Sequence, residues 1–167
     1  MAADLTLRHA QVPTPFGPFT VVVSADGVVA TSGEDPRELV DELARRVGVV
    51  SREAALRAAT RDLEAYFGGR RAPMRTPADL RLVGTPFARA VLEVTCTIPY
   101  AELWTYGDVA AHAGGPGAAR AAGSALARSP IELFVPCHRV VPAGPGLGTY
   151  GGSEDRRATL LRFEGAI

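Results

Sequence analysis

From Leu5 to Thr31 apolar residues alternate with polar ones or run in short β-branched stretches, Phe19-Thr20-Val21-Val22-Val23 and Val28-Val29-Ala30, with Ser24-Ala25-Asp26-Gly27 between them. Asp-Gly flanked by such runs signals a β-hairpin. Past Pro36 the spacing becomes helical, with Leu39, Leu43 and Val47 at four-residue intervals. A second helix is expected to open near Ser51 as its N-cap, to carry Leu56, Leu63 and Phe67 on one face and to stop at Gly68-Gly69. The stretch from Gly68 to Leu80 is rich in Gly, Arg and Pro, has no clear period and reads as a linker. Residues 1–80 are thus expected to form a small α/β domain that includes this linker.

A mostly helical domain is expected over residues 81–167. Thr85-Pro86 has the form of an N-cap followed by proline in the first helical position, and Phe87, Val91, Val94 and Ile98 make one apolar face up to Pro99. Thr105 and Asp108 have capping-box spacing for a short helix through Ala113, Gly114-Gly115-Pro116 is a turn, and Gly117 to Ala127 can form a second helix. That is helix-turn-helix spacing. The second helix is almost all alanine and glycine, so its backbone can come close to whatever it meets, whether another helix or a nucleic acid groove. Arg120 and Arg128, eight positions apart, fall on roughly the same side, where guanidinium groups can meet phosphates.

Composition narrows the classes. The 167 residues are 47% hydrophobic, enough for one substantial core or two small ones packed together. No apolar run is long enough to span a bilayer, and Met1 precedes Ala-Ala-Asp-Leu rather than a basic and then apolar leader, so a cytoplasmic protein without membrane attachment is expected. Acidic and basic residues balance at 18 each, so overall charge does not advertise nucleic acid binding. The two cysteines, Cys96 and Cys137, are expected to be reduced and are too few for a four-cysteine zinc site; no metal or other cofactor is expected.

The most informative stretch is Ile131-Glu132-Leu133-Phe134-Val135-Pro136-Cys137-His138-Arg139-Val140-Val141. Pro136 fixes its own φ and restricts its predecessor, delivering Cys137 at a stiff bend, and His138 and Arg139 can each favour the reactive thiolate. A Cys-His pair alone is more often a buried inert thiol than a nucleophile and its base. Its surroundings decide: Pro136-Cys137-His138-Arg139-Val140 resembles the active-site signature of the O6-alkylguanine-DNA alkyltransferases. The resemblance extends in order through Gly84-Thr85-Pro86-Phe87, Ile98-Pro99-Tyr100, Thr105-Tyr106-Gly107-Asp108-Val109-Ala110, Gly117-Ala118-Ala119-Arg120-Ala121-Ala122-Gly123, Gly148-Thr149-Tyr150-Gly151-Gly152 and Leu160-Leu161-Arg162-Phe163-Glu164-Gly165. Thr14-Pro15-Phe16-Gly17-Pro18-Phe19 with the Asp-Gly hairpin resembles the family's N-terminal domain more weakly.

The resemblance implies a ribonuclease-H-like α/β domain followed by a helix-turn-helix, winged-helix-like domain, and a monomer that repairs double-stranded DNA containing O6-alkylguanine. It implies Cys137 as the alkyl acceptor, His138 as base through a water, Glu164 as the group that orients His138, and Tyr106 as the acid that protonates the departing base. Arg120 matches a finger that fills the space of an extruded nucleotide, with Ala118, Ala119 and Arg128 on the same DNA-facing element. Tyr150, Val140, Gly151 and Ser129 match the base pocket. The sequence departs from the family pattern at Ser129 (asparagine is usual), Glu132 (apolar or proline), Leu92 (tryptophan) and Ala101 (glycine), and the last two read as packing variation. Two other readings stay open on sequence alone: a damage-binding alkyltransferase-like protein, which the presence of Cys137 opposes, and an enzyme on this scaffold acting on a small molecule.

Overall fold

The computed structural model describes residues 5–150 and 154–167, with Glu154 described by its backbone only. Contacts divide the chain into two compact units, Met1–Leu82 with Pro130–Phe134, and Val83–Ser129 with Val135–Ile167. A single cut between residues 80 and 81 leaves out this return of Pro130–Phe134 to the first unit.

In the first unit β1 (Arg8–Thr14), β2 (Gly17–Val23) and β3 (Val28–Ser32) form an antiparallel meander, and β4 (Arg52–Glu53) adds in parallel beside β1, giving the order β3-β2-β1-β4. The Asp-Gly turn joins β2 to β3 as the pattern predicts, with Ser24 N donating to Gly27 O at 2.9 Å. From Phe19 to Val23 and from Val28 to Thr31 every residue is buried, as happens when a strand is covered on both faces. Helix α1 (Pro36–Val47) packs against β3 and α2 (Arg57–Phe67) against β1. Leu39, Leu43 and Val47 of α1 meet Leu7, Val22, Val29 and Ala30 in one cluster.

Two expectations need correction here. Helix α2 begins at Arg57 with Leu56 at its N-cap, and Ser51 bonds instead to His9, Oγ to Nδ1 at 2.8 Å, just before β4. The backbone around Arg52–Glu53 is spent on β1, with Arg52 N donating to Leu7 O and Ala54 N to His9 O, so a helix cannot start until that pairing ends. The Gly68–Leu80 stretch is also no free linker. The buried Asp62 carboxylate accepts from Arg75 N at 3.0 Å and Thr76 N at 2.7 Å, Val28 N donates to Pro77 O, and Ser24 Oγ donates to the Asp79 carboxylate at 2.5 Å. Aperiodic segments can be fixed by polar bonds that hydrophobic spacing does not register.

The segment Pro130–Phe134 is fastened to β3 in the same unit. Thr31 N donates to Pro130 O at 2.9 Å, and Glu132 N donates to Thr31 Oγ1 at 2.6 Å. Ile131 is fully buried, and Leu133 takes a left-handed φ of 66°, costly for a branched side chain.

The second unit opens with α3 (Pro86–Cys96), capped by Thr85 Oγ1, which accepts from Ala88 N at 3.1 Å. Val91, Leu92 and Thr95 are its buried residues, with Phe87 and Val94 half-buried. Then β5 (Trp104–Thr105) leads directly into α4 (Tyr106–His112), where Thr105 and Asp108 form the expected capping box. A tight turn follows, in which a Cβ on Gly115 would sit 2.7 Å from the Phe87 ring, and α5 (Ala119–Ala127) packs against α3 and α4. Ala122 and Leu126 form the buried stripe of α5, whereas Arg120, Ala121, Ser124, Ala127 and the C-cap Arg128 are exposed. Small residues thus serve both sides of this helix. A single 3-10 turn at Cys137–Arg139 runs into β6 (Val140–Val141), and α6 (Glu154–Glu164) completes the unit.

Candidate active site

The parallel ladder of β5 and β6 pairs Trp104 with Val140 and Thr105 with Val141. Tyr106 follows β5 immediately and Cys137–Arg139 precedes β6 immediately, so this short ladder brings the phenol-bearing helix start and the cysteine turn into one region. Cys137, His138 and Arg139 are all buried there. No disulfide joins Cys137 to Cys96.

Glu164, the last residue of α6, is 2% exposed and organises the turn. Its Oε1 lies 2.6 Å from His138 Nε2 and accepts from Arg139 NH2 at 3.0 Å; its Oε2 accepts from Arg139 Nε at 3.0 Å and from Ala101 N at 3.1 Å. Arg139 also donates to Ile98 O at 2.8 Å and lies over the Tyr100 ring. Against desolvation, the largest single influence, the bonds from His138 and Arg139 hold Glu164 far below the usual carboxylate range. Desolvation dominates at His138 and pushes it below the ordinary imidazole range, although Glu164 favours the charged ring; Arg139 and Arg157 oppose it.

The tautomer follows. An ionised carboxylate only accepts, so the Nε2 facing it carries the hydrogen, and Nδ1 of the neutral ring is left with a lone pair. Nδ1 is buried without a hydrogen-bond partner among the described residues. A neutral base of this kind, beside a buried cysteine and oriented by a carboxylate, suits proton removal from a thiol. Tyr150 stands edge-on to the His138 ring, centroids 6.0 Å apart. Cys96 is a poor competitor: burial, with Glu93 adding to it, pushes its thiol up to about 11.

Comparison with known proteins agrees with this chemistry. The family described as "6-O-methylguanine DNA methyltransferase, DNA binding domain" matches residues 86–166. The methylated-DNA–protein-cysteine methyltransferase of Mycobacterium leprae is 39% identical over 153 residues, covering 90% of this chain and 88% of that protein. Its Salmonella typhimurium counterpart is 36% identical, with 98% of each chain covered. The chain belongs to the methylated-DNA–protein-cysteine methyltransferase family. Among solved structures, Mycobacterium tuberculosis OGT in complex with DNA has a TM-score of 0.79 and 33% identity, covering 95% of this chain and 93% of that one. The order seen in the family's solved structures, an α/β sheet domain followed by a helical DNA-binding domain, is the order found here.

Of the residues matched to the family's functional positions, Cys137, His138, Glu164, Tyr106, Tyr150 and Val140 come together in the second unit. Tyr106 opens α4, its ring 3.7 Å from where a Cβ on Gly123 of α5 would lie. Ala118 is the N-cap of α5 and Ala119 its first residue, with Arg120 exposed beside them. Arg128 is exposed beyond the helix end, and Ser129 N donates to Leu126 O at 3.1 Å to close it. Gly151 lies outside the described residues.

One departure from the family pattern acquires a physical meaning that packing variation does not supply. Ala101 has a φ of 64°, the left-handed region that glycine enters without steric cost, and this conformation turns its N–H onto Glu164. The sequence pattern assigned too little to one buried arginine and nothing to another. Arg139 was weighed only as a neighbour of the thiol, yet its fork holds Glu164. Arg157 of α6 reaches Tyr106, and the signal that could have found it is the stripe Arg157, Leu160, Leu161, Glu164, whose i, i+3, i+4, i+7 spacing is that of a buried helix face. Among the described residues no His, Cys, Asp or Glu side chains converge in a metal-holding group.

Glu164→Gln should cost about 3–5 kcal/mol at neutral pH, because Arg139 loses its counter-charge inside the protein. The pH dependence has a defined sign. Lowered His138 means that the unfolded chain takes up a proton first, so stability falls as pH drops through about 6.5; lowered Glu164 adds a loss below about 4.3. Urea denaturation across pH should show both losses in the wild type and a flattened lower limb in Glu164→Gln; an unchanged limb would contradict the assignment. Ala101→Gly should raise stability by about 1 kcal/mol in the same assay by removing the left-handed strain, and a loss would argue against it.

Proposed function

We propose that this family member repairs DNA by transferring the alkyl group of O6-alkylguanine in double-stranded DNA to Cys137, once per molecule. The observation that carries this reading is the buried His138, held through Nε2 by Glu164 with the Nδ1 lone pair left over, next in sequence to the buried Cys137. His138 Nδ1 takes the thiol proton through a water, and the thiolate sulfur attacks the alkyl carbon in line. A sulfur–carbon bond forms, the carbon–O6 bond breaks, and its electron pair goes to guanine. Tyr106 gives its phenolic proton to a ring nitrogen of the leaving base and is reprotonated by exchange with the proton held at His138, so the thiol proton ends on guanine. Because a thioether is stable, the protein is consumed.

The reacting carbon is inaccessible within a stacked duplex, so the nucleotide must be extruded. The exposed face of α5, with Arg120, Ala121, Ser124 and Ala127, supports a helix that approaches the minor groove closely, Arg120 filling the space left by the base. Arg128 would meet the phosphate backbone. Tyr150 and Val140, with Ser129 and Gly151, would bound the base. No helix among the described residues is long and apolar enough to cross a membrane, and we place the protein in the cytoplasm, acting as a monomer without a cofactor.

With a duplex carrying O6-methylguanine, restored guanine should rise to one equivalent of protein and stop. Cys137→Ala should restore none while still binding the duplex. Continued turnover, or full activity of Cys137→Ala, would overturn the proposal. Arg120→Ala should slow transfer from the duplex about tenfold, equivalent to ~1.4 kcal/mol of help in unstacking, and leave transfer from the free base nearly unchanged. Equal slowing on both substrates would count against the finger role.

A further inference from the structure

Arg157 has no part in the steps above, yet its surroundings are unusual. It is 3% exposed, its NH1 donates to the Leu147 carbonyl, its NH2 lies 3.4 Å from the Tyr106 hydroxyl oxygen, and its Cζ is 5.7 Å from the centre of the Tyr150 ring. Among the described residues no carboxylate pairs with it, and its Nε is buried without a hydrogen-bond partner. Taking a guanidinium out of water costs several kcal/mol, and such charges cluster at functional sites. Its neighbours here are the tyrosine that supplies the proton and the tyrosine that lines the base pocket.

We propose that Arg157 is the positioning residue for Tyr106, an inference that rests on the transfer reaction proposed above. A guanidinium has donors and no acceptor, so the phenol oxygen turns a lone pair toward Arg157 and directs its own hydrogen away from it, into the pocket. At 3.4 Å this contact is long for a hydrogen bond, and the fixed charge acts as much through its field as through the bond. As Tyr106 hands its proton to the base, negative charge grows on the phenol oxygen, and the cation is already in place to offset it, without solvent reorganisation. Arg157 transfers no proton; it stays charged throughout. Its second bond, to Leu147 O, and its stacking on Tyr150 fix the guanidinium so that the field has one direction.

A double-mutant cycle tests this, with single-turnover methyl transfer measured for wild type, Arg157→Met, Tyr106→Phe and the pair. Arg157→Met should slow transfer roughly tenfold to a hundredfold with DNA affinity unchanged, and less than about twofold when Tyr106 is already Phe. Arg157→Lys, which keeps the charge, should recover most of the rate, and Arg157→Gln, which removes it, carries the same cycle should Arg157→Met not fold. Losses that multiply in the double variant would overturn the role of Arg157 while leaving the repair reading intact. A folded wild type that transfers nothing would overturn the repair reading instead. The pairing is then read from carbon-13-labelled tyrosine: the Tyr106 Cζ resonance moves on substitution of Arg157 if the two interact and stays in place if they do not.

Discussion

The Glu164 carboxylate, buried at the end of α6, receives His138 Nε2, two nitrogens of Arg139 and the Ala101 N–H, and the remainder of the site is arranged around that demand. An ion of this size cannot leave water unless nearly all its lone pairs are met. Meeting them requires three separate pieces of backbone. The turn at Cys137–Arg139 must place consecutive side chains on one carboxylate, the chain after α3 must present both the Ile98 carbonyl and a left-handed Ala101, and α6 must end in register with them. Each piece is fixed by the others, so the geometry of Cys137 is inherited from a charge pair several bonds away.

The same arrangement sets the chemistry. Glu164 ties up the protonated edge of His138 and leaves the other nitrogen as a base, while burial keeps the ring neutral and Arg139 keeps the carboxylate ionised. A solvent-exposed Cys-His pair would have neither tautomer nor charge specified. The ladder between β5 and β6 adds a second constraint, since it fixes the start of α4, which carries Tyr106, and the end of the cysteine turn in one register. Residue sizes in α5 then have two uses: Ala122 is buried with Leu126 on the inner side, and the alanines outside leave a smooth surface flanked by Arg120.

Hydrophobic spacing revealed the β2–β3 hairpin around Asp26-Gly27 and the apolar stripes of α1 and α3, while the capping box at Thr105 and Asp108 is a local pattern read within four residues. It failed where polar bonds decide. The start of α2 is delayed by pairing with β1, and the Gly68–Leu80 stretch is held by Asp62 and by Pro77 O, features without a period. Thr31 and Glu132 meet across 101 residues, a separation that no local signal bridges. At the site, Cys137, His138, Glu164 and Tyr106, whose roles are those proposed above, were singled out by the resemblance of several ordered motifs. Arg139 and Arg157 were not, because arginine in a helix or beside a cysteine is ordinarily a surface residue, and only its place on a buried stripe or its carboxylate partner shows otherwise.

The measurement that reaches the central claim most directly is the intact mass of the protein after incubation with a duplex containing O6-methylguanine, followed by peptide mapping. The account predicts one methyl-sized increment located on the peptide that contains Cys137, with none on the Cys96 peptide. An unmodified protein whose Cys137 thiol is still titratable, or a methyl group found on Cys96, would contradict it.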